Sequence, residues 1–505
     1  MGLGTLGGGI ASAKWFVSQG AKVTVTDLRT EKRLKNSLEK LGYFKNRDLK
    51  GGTMTRHSAH KEVVEFVLGR HRVQDFKNND IIVVNPAVPR ESKYLAIARE
   101  EGKVIVNDAR VFFDSARNPI ISVTGTRGKT TTTNWIAHFL KSKYPDTIAG
   151  GNSSKEALLS LVEKLKNKRA PVVVELSSWQ LELLDKSSRG PDVAVITNIY
   201  PDHLNRYKNI RDYASAKANI FSNQTRSQKL VLNLDNPWTK FFLSKKPKAR
   251  AYFFSLKPLS KGKQGIFVSN DRVILKIGRQ EKIVLGEKEF KILRTRGEHN
   301  VQNFLAASLA ASLMGISNDA IRKRARTLPE IRYREEIVFR EKKLLVVNDS
   351  AGTSPDAVIA AIRRFKNRGD LILITGGTDK NLEFSPLARE IKKTLKPKQV
   401  FFLNGSATKK LIKELRALRY FPKTGPRIFE SLPEILKGIR DRELGIKKRE
   451  SGISLPAQAG NQELGTRFVI LFSPGAASFE KFKNEFDRGE KFDIYLKKLF
   501  EVGGV

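Results

Sequence analysis

A chain of 505 residues with 40% apolar residues can bury sizeable cores, and its length predicts about three domains. Zero cysteines exclude disulfides and thiolate-bound metals. No apolar run approaches the ~20 residues of a membrane span. Lys+Arg of 93 against Asp+Glu of 52 gives a net charge of +41, which raises nucleic acid as a partner. The basic residues are nevertheless scattered (164–169, 245–250, 392–398, 447–449) and lack interleaved aromatics or a nucleic-acid motif. Solvated helix faces explain them better. Nucleic acid is therefore disfavoured, while anionic substrates would still be steered inward. No basic-then-apolar leader precedes a cleavage site, so the expected location is cytoplasmic, with no membrane partner.

The first segment, 1–118, alternates strand-like and helix-like stretches. Residues 21–27 and 80–85 have strand length and 93–101 helical spacing, which predicts an α/β layer with parallel strands. Its opening G-L-G-T-L-G-G-G places glycines at 2, 4 and 7, with Asp27 ending the next strand, the pattern of a dinucleotide-binding fingerprint. Such a loop should follow a β-strand, yet Met1 directly precedes Gly2, so either a first strand is missing, which is the expected case, or the loop starts from an unpaired end.

The second segment, 119–327, opens with I-S-V-T-G-T-R-G-K-T-T-T-T at 121–133, a short apolar strand running into a phosphate loop. Gly125 and Gly128 allow backbone N–H groups to turn inward around phosphate oxygens. Lys129 can reach the terminal phosphates and Thr130 can offer a hydroxyl to Mg²⁺, with a helix N-terminus behind them. ATP is the expected nucleotide. Strands follow at 171–176 and 193–198. Glu175 ends the first of these, where a P-loop domain wants a second Mg²⁺ ligand, and T-N-I-Y-P-D-H at 197–203 follows the second. His203 is one of six histidines, and Lys217, on a predicted helix over 213–220, carries no signal of its own among so many lysines. Residues 265–285 read as β-hairpins and 300–314 as a helix.

The third segment, 328–505, repeats the α/β alternation, with strands at 343–347, 371–375, 399–403 and 468–472. A polar stretch at 445–466 reads as an exposed loop insertion.

Taken in order, these motifs resemble those of the Mur ligase family of ATP-dependent amide-forming enzymes. The matching stretches are T-G-T-R-G-K-T, E-L-S-S-W-Q-L-E (175–182), N-I-Y-P-D-H-L-N-R-Y (198–207), Y-A-S-A-K (213–217) and G-E-H-N-V-Q-N (297–303). In the third segment they are N-D-S-A-G-T-S-P-D-A (348–357), G-G-T-D-K (376–380) and S-P-G-A-A-S-F-E-K-F-K-N-E-F-D-R-G (473–489). The resemblance covers nearly the whole chain. It implies three α/β domains: a Rossmann-like N-terminal domain, a central P-loop ATPase domain and a C-terminal Rossmann-like domain.

The implied activity is ligation of D-glutamate to UDP-N-acetylmuramoyl-L-alanine by a monomer, using ATP and two Mg²⁺ sites. Lys129, Glu175, His203 and Lys217 would be catalytic, and Thr130, Glu175, His203 and Lys217 would hold metal, Lys217 as a carbamate. ATP would meet Gly125, Thr126, Arg127, Gly128, Lys129, Thr130 and Thr131, with Asn300 and Asn303 facing the adenine and Arg334 and Asp349 added from the third segment. The nucleotide sugar's diphosphate would lie on Gly4, Thr5 and Gly7, with Asp27 and Arg29 near the uracil and Asn85 opposite. Asn152, Ser177 and Gln180 would meet its muramoyl-alanine portion. Thr353, Lys380, Ser478 and Phe479 would take D-glutamate.

Three departures bear on amino-acid binding. Tyr333-Arg334 stands where the family usually has His-Arg, Ala351 stands where lysine is frequent, and Glu485 separates the F-K-N run from Phe486. The alternatives are a Mur-type ligase that adds another amino acid and, in a different class, a basic nucleic-acid-binding P-loop ATPase.

Overall fold

The computed structural model describes residues 1–5, 7–42, 53–55, 63–152, 156–204, 206–341, 343–423, 425–442 and 468–500. The expected insertion at 445–466 lies outside them. The chain forms two compact units, Met1–Phe290 with Gln302–Pro329, and Lys291–Val301 with Glu330–Val505.

In the first unit the N-terminal stretch builds two small sheets where one layer was expected. Strands β1 (Val23–Asp27), β2 (Thr53–Thr55) and β3 (Val63–Leu68) form one, with β1 and β3 parallel and β2 antiparallel to β3. Strands β4 (Ile81–Val83) and β5 (Val104–Val106) pair parallel in the other. A cavity of about 410 Å³, lined by Val23–Thr26 and Ile81–Val84, lies between β1 and β4, which do not pair. Near Met1 the two sheets are bridged: the Met1 nitrogen donates to Val83 O (2.8 Å) and the Gly2 N–H to Thr26 O (2.8 Å).

The larger sheet of this unit has nine strands: β6 (Ile120–Thr124), β7 (Ile148–Gly151), β8 (Val172–Glu175), β9 (Val193–Ile196), β10 (Lys229–Asn233), β11 (Arg250–Ser255), β12 (Gly265–Ser269), β13 (Arg272–Ile277) and β14 (Gln280–Leu285). Their order is β14-β13-β12-β11-β10-β9-β6-β8-β7, parallel from β7 through β12 and antiparallel in the last two pairings. Every residue of β6, β8 and β9 is buried, so these strands read as continuous apolar runs. Strand β6 lies between β8 and β9, and the chain leaves it to one side and later returns on the other. That is a topological switch point, where the carboxyl ends of parallel strands open a crevice. The helix Asp108–Ser115 packs on Leu158–Leu165 and joins the N-terminal stretch to the core of this sheet.

The second unit holds a six-stranded sheet of β15 (Glu336–Glu341), β16 (Leu344–Asn348), β17 (Asp370–Thr375), β18 (Val400–Leu403), β19 (Arg427–Phe429) and β20 (Phe468–Phe472). Its order is β15-β16-β20-β17-β18-β19, parallel except for β15 against β16. Apolar clusters cover both faces, one centred on Val358, Ile391 and Leu411 and the other on Ile435, Ile439 and Phe492. Among the described residues no helix is long and apolar enough to cross a membrane.

Candidate functional site

The phosphate loop turns immediately after β6. Gly125 has φ 144° and Gly128 φ 80°, conformations that L side chains rarely adopt. Side chains could not fit in any case: a Cβ on Gly125 would overlap the Thr197 hydroxyl, and one on Gly128 the Asn303 Oδ1. Gly128 caps the helix Lys129–Leu140, so the loop delivers backbone N–H groups to a helix N-terminus. The segment after β9 holds the loop in shape. Thr126 N–H donates to Asn198 O (2.8 Å), Arg127 N–H to Asn198 Oδ1 (2.8 Å), and Thr197 Oγ1 to Arg127 O (2.6 Å). Lys129 Nζ folds back on the loop and donates to Gly125 O and Thr126 O, both at 3.2 Å.

Glu175 ends β8 with its side chain buried, and its carbonyl accepts from Asn152 N–H at 3.0 Å. His203 follows β9 in a left-handed conformation, φ 54°, which costs a non-glycine residue roughly 1–2 kcal/mol. Its ring meets Trp179 edge-on at 5.3 Å and lies 6.1 Å from Tyr213. Lys217, on the helix Ile210–Ala218, is 1% exposed and points into the same space. Its Nζ donates to Thr124 Oγ1 (3.3 Å) and sits 4.7 Å from the Tyr213 ring centroid. Burial first, then the nearby Lys129 charge, press its pKa well below the lysine range, only partly opposed by Asp202 and Glu175. Arg127 pairs with Asp202 (2.8 Å), a contact with no local signature beyond the D-H dipeptide.

Among the described residues, no group of three or more His, Asp or Glu side chains is placed to hold a metal.

The expected nucleotide-sugar residues also come together. Gly4 N–H donates to Asp27 Oδ2 (3.0 Å) and Arg29 N–H to Asp27 Oδ1 (2.8 Å). Asn85 flanks Gly2 and Gly4 and accepts from Ala87 N–H at 3.0 Å. Gly7, φ 98°, caps the helix Gly8–Ser18, and Thr5 is exposed. Ser177 and Gln180 form a capping box, and Gln180 Nε2 also donates to Asp108 Oδ2 (3.1 Å). Gln180 is thus held from both ends and serves to shape the turn.

The helix Glu298–Leu313 begins in one unit and continues in the other. Asn303 reaches the phosphate-loop helix, accepting from Thr132 Oγ1 at 3.4 Å. Asn300, in the second unit, donates to Arg296 O (2.9 Å).

In the second unit, loops at the carboxyl ends of β16, β17 and β20 gather the remaining expected residues. Lys380 Nζ donates to Thr353 Oγ1 (3.2 Å), and the Thr378–Ala477 bridge brings the Ser478 loop alongside. Ser478 Oγ is buried without a hydrogen-bond partner, whereas Phe479 is 68% exposed. Asp349 accepts from Glu335 N–H (3.1 Å) and Ser473 Oγ (2.6 Å). Burial, then the neighbouring Glu335 charge, push its pKa up to about 7. Arg334 lies within electrostatic reach of Asp349. Sequence reasoning missed Arg488, which is fully buried and donates to Ser350 O (2.8 Å), Ala476 O (3.0 Å) and Ala477 O (3.0 Å), tying two of these loops together. It also missed Glu335, which pairs with His299 (3.2 Å) and Arg364. The H-N dipeptide of the G-E-H-N-V-Q-N stretch was the available signal.

The profile of the Mur ligase middle domain matches residues 123–311. The chain is 36% identical to the UDP-N-acetylmuramoylalanine--D-glutamate ligase of Roseiflexus sp. (strain RS-1), over 97% of this chain and 96% of that protein. It is 33% identical to the enzyme of the same name from Borreliella afzelii (strain PKo), over 100% and 97%. Among solved structures, the fold is similar to UDP-N-acetylmuramate-alanine ligase MurC from Thermotoga maritima, with TM-score 0.54, 20% identity, and coverage of 99% of this chain and 98% of that one. It is also similar to MurF ligase from Thermotoga maritima in complex with ADP, with TM-score 0.51, 15% identity, and coverage of 84% and 99%.

Proposed function

The chain belongs to the Mur ligase family, and we propose on that premise that it joins D-glutamate to UDP-N-acetylmuramoyl-L-alanine in peptidoglycan precursor synthesis, with ATP as the driving nucleotide. The observation that carries the substrate assignment is near-full-length identity of 36% and 33% to ligases of that name. Supporting the chemistry is the gathering of the phosphate loop, Glu175 and Lys217 at the switch point of the nine-stranded sheet.

A carboxylate is a poor electrophile, so its oxygen first attacks the γ-phosphorus of ATP, giving an acyl phosphate and ADP. Lys129, held by the loop carbonyls, balances charge on the transferring phosphoryl group. The uncharged amine of the amino acid then attacks the activated carbonyl, and phosphate leaves from the tetrahedral intermediate. The protein supplies position and electrostatics.

Thr130, Glu175, His203 and Lys217 are the residues we assign to Mg²⁺. The donor chemistry fits once Lys217 is carbamylated: burial favours its free amine, which can add CO₂, releasing a proton and becoming an anionic oxygen donor suited to a hard cation. When bound, Mg²⁺ supplies charge neutralisation on phosphate oxygens. In the second unit, Lys380 would pair with a D-glutamate carboxylate and the unpartnered Ser478 hydroxyl would take another polar atom of it. Gly4, Asp27, Arg29 and Asn85 are assigned to the uridine diphosphate end, and Asn303, with Arg334 and Asp349, to ATP. We retain the three-domain division at 118 and 327, a cytoplasmic location and a monomeric state as parts of the same reading.

The test is an amino-acid panel incubated with UDP-N-acetylmuramoyl-L-alanine and ATP and scored by product mass. A mass gain with D-glutamate alone supports the reading. A gain with another amino acid makes the chain a different Mur-type ligase, and phosphate release that answers to DNA or RNA rejects it.

A further inference from the structure

Glu182 closes the E-L-S-S-W-Q-L-E stretch and has no part in the chemistry above, yet several elements meet on it. Arg206 donates to its carboxylate through Nε (2.9 Å) and Nη2 (2.7 Å), and the Tyr207 hydroxyl donates at 2.8 Å. Arg90 completes the set as an ion pair, Nε to Oε2 2.9 Å. The carboxylate side chain is 8% exposed. Burial alone would raise its pKa, but Arg206, Arg90 and Tyr207 outweigh that and hold it below the ordinary glutamate value.

These partners have specific neighbours. The backbone N–H groups of Arg206 and Tyr207 both donate to His203 O, at 2.9 and 3.1 Å, so the carboxylate grips the turn that closes on His203. The Arg206 guanidinium lies 4.8 Å over the Trp179 ring, and Trp179 packs edge-on against the His203 ring. His203 is held in a left-handed conformation that a free turn would leave, so an external clamp is needed. Arg90 comes from the N-terminal stretch, five positions after Asn85, and lies 5.1 Å over the Tyr207 ring.

We propose that Glu182 is a positioning residue that couples the Asn85–Arg90 loop to the turn bearing His203, so that a bound nucleotide sugar tightens the metal site. This rests on the assignment of Asn85 to the nucleotide sugar and of His203 to the metal. The physical route is short and continuous. Ligand bound at Asn85 orders the loop carrying Arg90, Arg90 fixes the Glu182 carboxylate, and Glu182 fixes the turn that aims the His203 imidazole. Ligands that share such an element bind with a mutual coupling, equal in both directions.

The experiment measures Mn²⁺ binding by electron paramagnetic resonance on the whole chain with a non-hydrolysable ATP analogue, with and without UDP-N-acetylmuramoyl-L-alanine. For the native protein, the nucleotide sugar is expected to tighten Mn²⁺ binding by about five-fold or more. Glu182→Gln should weaken Mn²⁺ binding by about ten-fold and remove the tightening, while the thermal midpoint stays within a few degrees of native. Arg90→Met should leave Mn²⁺ binding near native without the nucleotide sugar and abolish the gain on adding it. Tyr207→Phe deletes one donor but keeps the ring under Arg90, and should show a smaller loss than Glu182→Gln if that variant proves unstable. Native-like tightening in Glu182→Gln, or in Arg90→Met, overturns the coupling. A native protein that binds neither Mn²⁺ nor the nucleotide sugar overturns the site assignment itself, and the coupling with it.

Discussion

The Nζ of Lys217 stands 3.3 Å from the Oγ1 of Thr124, the last residue of the strand that feeds the phosphate loop. Burial, with Lys129 and Arg127 as like-charged neighbours, presses the Lys217 pKa well below the lysine range and so favours the free amine, the form that reacts with CO₂. Lys217→Ala should therefore lower ligation by about a hundred-fold, and acetate or formate should restore part of it by occupying the space of the carbamate. Incubation with ¹³C-bicarbonate should give a carbamate carbon resonance in the native protein that is absent from the variant. Full activity in Lys217→Ala, with no such resonance in the native protein, would reject the carbamate.

Lys129 Nζ donates to the Gly125 and Thr126 carbonyls of its own loop, and both contacts can be exchanged for phosphate oxygens. Lys129→Ala leaves the loop glycines and their partners in place, so the fold should persist. ATP turnover should fall by roughly 10³-fold, measured as phosphate release in the presence of the nucleotide sugar and D-glutamate. Turnover within a few-fold of native would show that this loop does not bind the reacting nucleotide.

Gly128 and Asn303 are 175 positions apart in the chain yet in contact, and that contact fixes the start of the phosphate-loop helix. Gly128→Ala adds backbone strain of roughly 1–2 kcal/mol at φ 80° and drives a methyl group into the Asn303 amide. Asn303 must then leave Thr132. Affinity for an ATP analogue, read by calorimetry, should drop by more than ten-fold, and the thermal midpoint should fall by several degrees. An unchanged affinity would remove Asn303 from the nucleotide site.

What could be read from the chain alone was the part written in local spacing. The Gly125–Thr130 turn needs its glycines and lysine within six consecutive residues, and the strands ending at Glu175 and Ile196 are apolar runs of ordinary strand length, so both were legible. Lys217 was legible only through the Y-A-S-A-K resemblance, because its burial is a tertiary fact and the chain holds 93 lysines and arginines. The same dilution hid Arg488 and the Arg90–Glu182–Arg206 cluster: a buried arginine looks like a surface one until its partners, more than a hundred positions away in the case of Ser350, are brought to it. The two separate N-terminal sheets were not legible either. Alternation of strands and helices shows that a layer forms but is silent about which strands share it, and here β1 and β4 face each other across a cavity.

Asp349 gives the second unit a pH dependence whose sign can be worked out. Its folded pKa is pushed up to about 7 from an ordinary 3.8 by burial and by Glu335, with Ser473, the Glu335 N–H and Arg334 opposing, and with Arg488 and His299 also in electrostatic reach. A carboxyl raised in this way adds stability that is fully present below about pH 3.8 and is lost as the pH climbs through 7. Between about pH 5 and pH 8 the loss amounts to roughly 2–3 kcal/mol. Glu335 runs the other way: burial would raise it, but His299 and Arg364 hold it low, so its contribution is present above the ordinary glutamate value and lost in acid. Asp349→Asn removes the first effect and keeps the second. Urea unfolding followed at about pH 5 and about pH 8 should show the native protein losing stability toward the higher pH, with the variant nearly flat over the same interval. Parallel pH profiles for the two proteins would mean that Asp349 is already ionised at the lower pH and that the buried charge is carried without penalty.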